Sequence, residues 1–189
     1  MRRLRYNVAT SLDGFIARTD GSFDWIVEDS SIDFAGLTSQ FDAAVMGRRT
    51  YEVMKQQGQA AALPGVKVYV CSTTLTPGEA PDAVVIPGDA VETVRALKLA
   101  DGKDIWLFGG GVLFRALLDA GLVDTVEVAQ MPVLLGDGIP MLPPGLCAPR
   151  LELTGLTSLP ASGIVMLTYA VPAQAEMLAA PAHEGDDGR

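Results

Sequence analysis

Apolar and polar positions along this chain switch repeatedly between a period of two and a period near 3.6, a pattern that predicts alternating strands and helices of an α/β fold. Leu4, Tyr6 and Val8 alternate with Arg5 and Asn7, as in a first strand. The stretch Ser11 to Trp25 (SLDGFIARTDGSFDW) is rich in turn chemistry, with Asp13-Gly14 and Asp20-Gly21 both favouring turns. A short helix is expected over roughly Ser31 to Phe41 and a second strand over Ala43 to Met46, ending at Gly47. Thr50 is then placed to cap a helix through about Gln57, with Glu52 in a first turn where the helix dipole favours an acid. Val66 to Cys71 reads as a third strand and Ala83 to Ile86 as a short fourth. Asp89 followed by Glu92 predicts a capping box, and the helix it opens stops before Gly102. A buried strand is expected at Ile105 to Phe108, then three glycines, then a helix with Leu113/Leu117 and Phe114/Leu118 stacked at i, i+4 and Gly121 at its end.

The last third changes character. Val123 to Met131, Leu151 to Leu156 and Ile164 to Val171 read as strands with no helix between them, so an antiparallel edge on a mostly parallel sheet is expected. No internal repeat is visible. The domain is expected to span residues 1–172, and residues 173–189, rich in Ala, Glu, Gly, Asp and Pro, to form a frayed tail.

Composition narrows the function. At 189 residues, 49% apolar and 20% charged, the chain has enough core for one domain. Its formal charge of −9 disfavours nucleic acid and anionic membranes, which are bound through Lys and Arg. Cys71 and Cys147 make no disulfide framework, and no CxxC or Cys/His cluster supplies a metal site. The single histidine, His183, lies in AHEGDDGR, so acid and base chemistry falls to carboxylates, water or a cofactor. Asp13 and Arg18 interrupt the apolar run a secretory signal would need, and the uncharged run from Leu153 to Ala175 contains Pro160, Gly163 and Pro172 and is too polar to span a bilayer. A cytoplasmic protein is expected.

Three strand exits carry the candidate chemistry. In Met46-Gly47-Arg48-Arg49-Thr50-Tyr51-Glu52, two guanidiniums and a hydroxyl stand at a helix N-terminus, an arrangement suited to phosphate; the alternative is a plain capped helix with solvated arginines. Phe108-Gly109-Gly110-Gly111 lets a ligand approach the backbone before the next helix, or is a tightly packed turn; because Phe114 stands where GxGxxG needs glycine, a Rossmann site is not indicated. Ser72-Thr73-Thr74 puts hydroxyls at the end of the third strand, or simply makes a turn. If the strands are parallel, the three converge on one sheet edge and could hold an anionic nucleotide there.

These segments, in this order and together with ATSLDGFIA (Ala9 to Ala17) and PVLLGDGIP (Pro132 to Pro140), resemble the dihydrofolate reductase superfamily. The closer resemblance, from about Leu4 to Val171, is to the reductase domain of the bifunctional riboflavin-biosynthesis deaminase-reductase and its stand-alone relatives. The resemblance implies a three-layer sandwich, with a mainly parallel eight-stranded sheet, an antiparallel C-terminal edge and about four helices. It implies NADPH bound along the carboxyl edge. Gly47, Arg48, Arg49 and Thr50 would hold cofactor phosphates, and Ser72 and Thr73 the adenosine ribose and its 2′-phosphate. Phe108, Gly109, Gly110, Gly111 and Phe114 would lie against the pyrophosphate and nicotinamide. Ala9 and Ile16 would meet the nicotinamide end, Ser11 to Trp25 would be a mobile closing loop, and Trp25 and Trp106 would sit near the cofactor edge. Asp13 and Asp33 are the candidate catalytic carboxylates, each with a plain structural alternative as a turn or helix-start acid.

The departures matter as well. Folate reductases place an arginine after the Leu-Pro-Gly element, where this chain has Val66 after Leu63-Pro64-Gly65, so folate is the less favoured substrate. Neither HxE nor PCxxC occurs, so the zinc deaminase step is outside this chain's reach. The expectation is an NADPH-dependent reductase of a small heterocyclic or sugar-like metabolite, with a reductase of the riboflavin-biosynthesis type as its most specific form; the alternative is a non-catalytic NADP(H)-binding module or sensor. A homodimer is implied by the resemblance, with Val126, Val128 and Met131 as candidate contact residues.

Overall fold

The computed structural model describes residues 1–56, 63–145 and 149–172. Gln57, Cys147, His183 and the expected tail lie outside them. Ten strands and four α-helices are described: β1 (Leu4–Thr10), β2 (Phe15–Ala17), α1 (Phe34–Thr38), β3 (Phe41–Gly47), α2 (Arg48–Gln56), β4 (Lys67–Cys71), β5 (Val84–Ile86), α3 (Ala90–Leu99), β6 (Asp104–Gly109), α4 (Gly111–Asp119), β7 (Thr125–Gln130), β8 (Ile139–Pro140), β9 (Glu152–Leu159) and β10 (Ile164–Ala170).

Eight strands form one sheet in the order β5-β4-β3-β6-β1-β7-β10-β9. The first six are parallel; β10 runs antiparallel to β7, and β9 antiparallel to β10. This is the mostly parallel α/β sheet with an antiparallel edge that the sequence pattern predicts.

Both faces are packed. Leu4, Tyr6, Val45, Ile105, Leu107 and Val126 meet Val94 of α3 and Leu113, Phe114, Leu117 and Leu118 of α4 on one side. On the other, Ala44, Met46, Val70 and Trp106 meet Tyr51 and Met54 of α2. Truncating a fully buried leucine such as Leu117 to alanine would cost about 2–5 kcal/mol.

Local chemistry sets the helix ends. Asp89 caps α3 by accepting from the Val91 N–H at 2.8 Å. The reciprocal half of the expected capping box is replaced by a turn of Glu92 toward Arg95, 3.4 Å away. α4 closes in a Schellman turn, with Gly121 N–H donating to the Leu118 carbonyl and Leu122 N–H to that of Leu117. α2 departs from expectation: it begins at Arg48, directly after Gly47 of β3. Thr50 is therefore its third residue rather than its cap, and Glu52 reaches back to Arg48 at i, i+4.

At the amino edge the strands are clamped by ion pairs: Arg2 with Asp42, Arg3 with Asp104, Arg5 with Glu127 and Lys98 with Asp124. Val126, Val128 and Met131, expected as contact residues between protomers, are buried. β7 lies between β1 and β10, so its apolar side chains are core. The sheet's two edge strands are β5 and β9, and on β9 Leu153 and Leu156 are exposed. Among the described residues, no helix is long and apolar enough to cross a membrane, and no group of three or more His, Cys, Asp or Glu could hold a metal ion.

Candidate cofactor and active site

Parallel strands deliver their C-terminal ends to one edge, so Ser11, Arg48, Ser72, Gly110 and Met131 all leave the sheet on the same side. Because β3 and β6 are neighbours, α2 and α4 open next to one another. Each nine-residue helix offers first-turn N–H groups and the positive end of its dipole to this edge. The Thr50 hydroxyl oxygen lies 3.6 Å from where a Cβ on Gly110 would stand, so the two openings are adjacent.

The glycines here have separate reasons. Gly109 has φ +127°, which L side chains rarely adopt, and its peptide bond to Gly110 is cis. At Gly111 a Cβ would come within 2.6 Å of the Pro140 carbonyl oxygen and 2.8 Å of that of Met141. At Gly47 it would meet nothing within 4 Å, so that side of the cleft is open.

The cations stand at the α2 opening. Arg48 donates from Nε to Glu52 at 2.6 Å and from Nη1 to the Thr74 hydroxyl at 2.7 Å, which keeps its guanidinium over the turn that follows β4. The Glu52 hydrogen bond raises the Arg48 pKa, and three of the five guanidinium N–H donors remain for another acceptor. Arg49 is exposed and has no partner among the described residues. Ser72 Oγ accepts from the N–H groups of Thr74 (3.2 Å) and Leu75 (2.9 Å), building the turn on which Thr73 is exposed. Unspent guanidinium donors, two helix openings and an open glycine face fit the phosphates of a dinucleotide.

The remaining candidates divide. Ala9 and Ile16 are half-buried, and Ala9 packs on the cluster of Trp25, Met131 and Ile164. Phe108 is half-buried with its ring 4.9 Å from that of Trp106. Phe114 is not a lining residue: it is 2% exposed and stacks on Tyr6 at 3.9 Å inside the α4 core, which leaves it no surface for a cofactor. Trp106 is likewise a core residue midway along β6, donating to the Asn7 carbonyl at 3.2 Å.

Asp13 is exposed and accepts from the N–H groups of Leu135 (3.1 Å) and Gly136 (2.7 Å). Hydrogen bonds from Ser11 and then Gly136 hold its pKa down at about 2, so it carries no proton to donate near neutral pH. Asp33 is the N-cap of α1, accepting from Gly36 N–H at 2.8 Å. Both carboxylates are thus engaged by backbone donors.

The expected closing loop is fastened at its base. Leu12 N–H donates to the Val133 carbonyl and Met141 N–H to that of Gly14, while β2 pairs antiparallel with β8. Further along, Trp25 is buried, and its indole Nε1 has no hydrogen-bond partner.

Sequence reasoning missed Thr74 as the second holder of Arg48. The Arg48/Glu52 spacing was a readable signal; a contact across 26 residues had none.

Fold and edge chemistry together define a dihydrofolate reductase-like domain. Its profile match is to the RibD C-terminal domain over residues 2–165, and the chain belongs to that family. It is 30% identical over 179 residues to YyaP, an uncharacterized protein of Bacillus subtilis, covering 89% of this chain and 94% of YyaP. Among solved structures, a candidate riboflavin biosynthesis protein from Shewanella sp. PV-4 superposes with TM-score 0.76 at 27% identity, covering 91% of this chain and 99% of that one. The diaminohydroxyphosphoribosylaminopyrimidine deaminase/5-amino-6-(5-phosphoribosylamino)uracil reductase of Thermotoga maritima gives TM-score 0.70 at 16% identity; the match covers 90% of this chain and 57% of that longer one. Dihydrofolate reductase from Enterococcus faecalis, solved with NADP(H), gives 0.67 at 18%, covering 89% and 96%. The last two bear on fold alone. Family membership makes this a reductase-type domain.

Proposed function

We propose that this chain is an NADPH-dependent reductase that passes hydride to a C=N or C=O carbon of a small heterocyclic metabolite. The observation that carries the reading is the adjacent opening of α2 and α4, with Arg48 held over the Ser72–Thr74 turn and Arg49 unspent beside it. Gly47, Arg48, Arg49 and Thr50 would take the phosphates, with Ser72 and Thr73 at the adenosine end and Phe108 to Gly111 along the chain toward the nicotinamide. The bound cofactor would supply the hydride. The protein's own part is to bind, orient and exclude water, with Ala9, Ile16 and the Trp25 segment walling the reacting end. With Asp13 and Asp33 engaged by backbone donors, water is the proton source.

The test is a tryptophan-fluorescence titration with NADPH and NADH, followed by NADPH oxidation against pyrimidines, pterins and aldehydes. Tighter binding of NADPH with turnover of a heterocycle is the expected result. Binding without turnover of any of these favours the non-catalytic module, and no binding of either nucleotide overturns the reading. The expected homodimer is carried into this proposal on a different strand: β9, the uncharged edge after Glu152, in place of β7. A monomer mass by light scattering would remove it.

A further inference from the structure

The carboxyl edge is electrically divided. In its β3–β4–β6 half, α2 and the segment between β4 and β5 carry Arg48, Arg49 and Lys55 against Glu52, Glu79 and Asp82. The other half is made by the segments that leave β1, leave β7 and join β9 to β10, residues 11–33, 131–145 and 160–163. Those segments carry seven carboxylates, Asp13, Asp20, Asp24, Glu28, Asp29, Asp33 and Asp137, against one cation, Arg18. Arg18 is spent on Asp24 at 2.8 Å. Of the chain's 14 Lys and Arg residues only Arg189 lies outside the described ones. Arg115 of α4 reaches the 131–145 segment through the Pro143 carbonyl at 3.0 Å and is paired with Asp119, while five others (Arg2, Arg3, Arg5, Lys98 and Lys103) are committed toward the amino edge.

Three of these carboxylates, Asp20, Asp24 and Asp29, are held by hydrogen bonds from neighbouring groups. Asp29 accepts from Ser162 at 2.6 Å, which ties this segment to the β9–β10 turn, and from Ser31. Asp20 accepts from the Ser22 N–H and Asp24 from Arg18. In each case the hydrogen bond lowers the carboxyl pKa, so the rim stays anionic at neutral pH. Within the same half, Trp25 belongs to a hydrophobic cluster with Met131 and Ile164, against which Ala9 and Ala129 pack. Its indole Nε1 is buried there without a hydrogen-bond partner.

From this division we infer that the substrate taken beside the cofactor is an unphosphorylated heterocycle or riboside, neutral or cationic, and not a sugar phosphate. The inference rests on the reductase reading above. A phosphate monoester brings about −1.5 to −2 charges, and such groups are gripped by guanidiniums or by helix openings. Both kinds of grip stand on the cofactor half. An anionic rim raises the local concentration of neutral and cationic ligands relative to anions and discriminates by charge before any contact forms.

The probes are 5-amino-6-(5-phosphoribosylamino)uracil and its riboside without the phosphate, each titrated into the NADPH-saturated protein by calorimetry and followed by NADPH oxidation. The riboside should bind at least about tenfold more tightly, with added salt narrowing the gap. Asp24→Asn frees Arg18 and should bring the phosphorylated probe closer to the riboside. Preference for the phosphorylated probe, equal binding, or binding of neither while NADPH binds overturns the inference and leaves the reductase reading standing. Failure to bind NADPH at the outset overturns both.

Discussion

The two edges of the one sheet are built on opposite terms. At the amino edge, charge is closed on itself. Lys98, its side chain 6% exposed, donates to Asp124 at 2.5 Å and to the Leu122 carbonyl at 2.6 Å, and Asp124 also accepts from Leu4 N–H at 2.6 Å. Arg5 grips Glu127 through two bonds of 2.6 and 2.8 Å, and that carboxylate also accepts from Asn7 and Thr125. At the carboxyl edge, Arg49 is unspent, three N–H donors of Arg48 are free and two helices open side by side. Groups saturated by one another hold elements together, and groups left unsaturated are available to a ligand. The difference separates residues that hold the fold from residues left open to a ligand.

Substitutions should therefore divide by edge. The largest effect is expected from Asp124→Ala, which leaves the Leu4 N–H without its acceptor and the buried Lys98 ammonium without its counter-charge, with only the Leu122 carbonyl remaining. A loss of about 3 kcal/mol in urea-unfolding stability is expected, with nucleotide binding unchanged under native conditions. Arg48→Ala should do the reverse. Removing a charge-assisted contact costs about 2 kcal/mol, roughly thirtyfold in the Kd for NADPH, while NADH binding and Tm stay nearly unchanged. Equal losses for the two nucleotides would mean that Arg48, held over the Ser72–Thr74 turn, does not reach a 2′-phosphate bound at that turn.

A smaller effect is expected in acid. Asp13 ionises at about 2 in the folded protein against an ordinary 3.8, so its stabilising effect is complete above about pH 4 and disappears as pH falls toward 2. Asp13→Asn should flatten that stretch of the urea midpoint against pH and leave the neutral range alone. The smallest belongs to neither edge: Arg95→Ala removes only an exposed pair with Glu92, and Tm should shift by what about 0.3 kcal/mol allows.

The fold was legible wherever its determinants are local. The i, i+4 stack on α4, its glycine stop, the Asp89 cap and the alternation in β1 lie within a few residues of what they specify, and each stands close to its expected place. The start of α2 was misplaced because a cap was sought in Thr50, whereas β3 passes straight into the helix and leaves its first N–H groups facing the cleft. The β2–β8 pair was invisible: strands of three and two residues, more than 120 residues apart, have no period to read. At the candidate site, Phe114 was misassigned although its partner Leu118 already marked it as core. What holds Asp13, the N–H groups of Leu135 and Gly136, lies more than 120 residues away and has no signal in the local sequence.

The strand order has a consequence for how the protein is made. β1 is the first strand to be synthesised, yet it lies between β6 and β7, the latter ending at Gln130. At ribosomal speeds of about 5–20 residues per second, Leu4 and Tyr6 wait roughly 6 to 24 s for both neighbours. During that interval the central strand of the future core is an unpaired apolar segment, and the high sequence separation of its contacts makes final closure slow. The nascent chain, more than the folded domain, is the form most exposed to aggregation. An N-terminal fusion partner would be carried directly on that waiting strand.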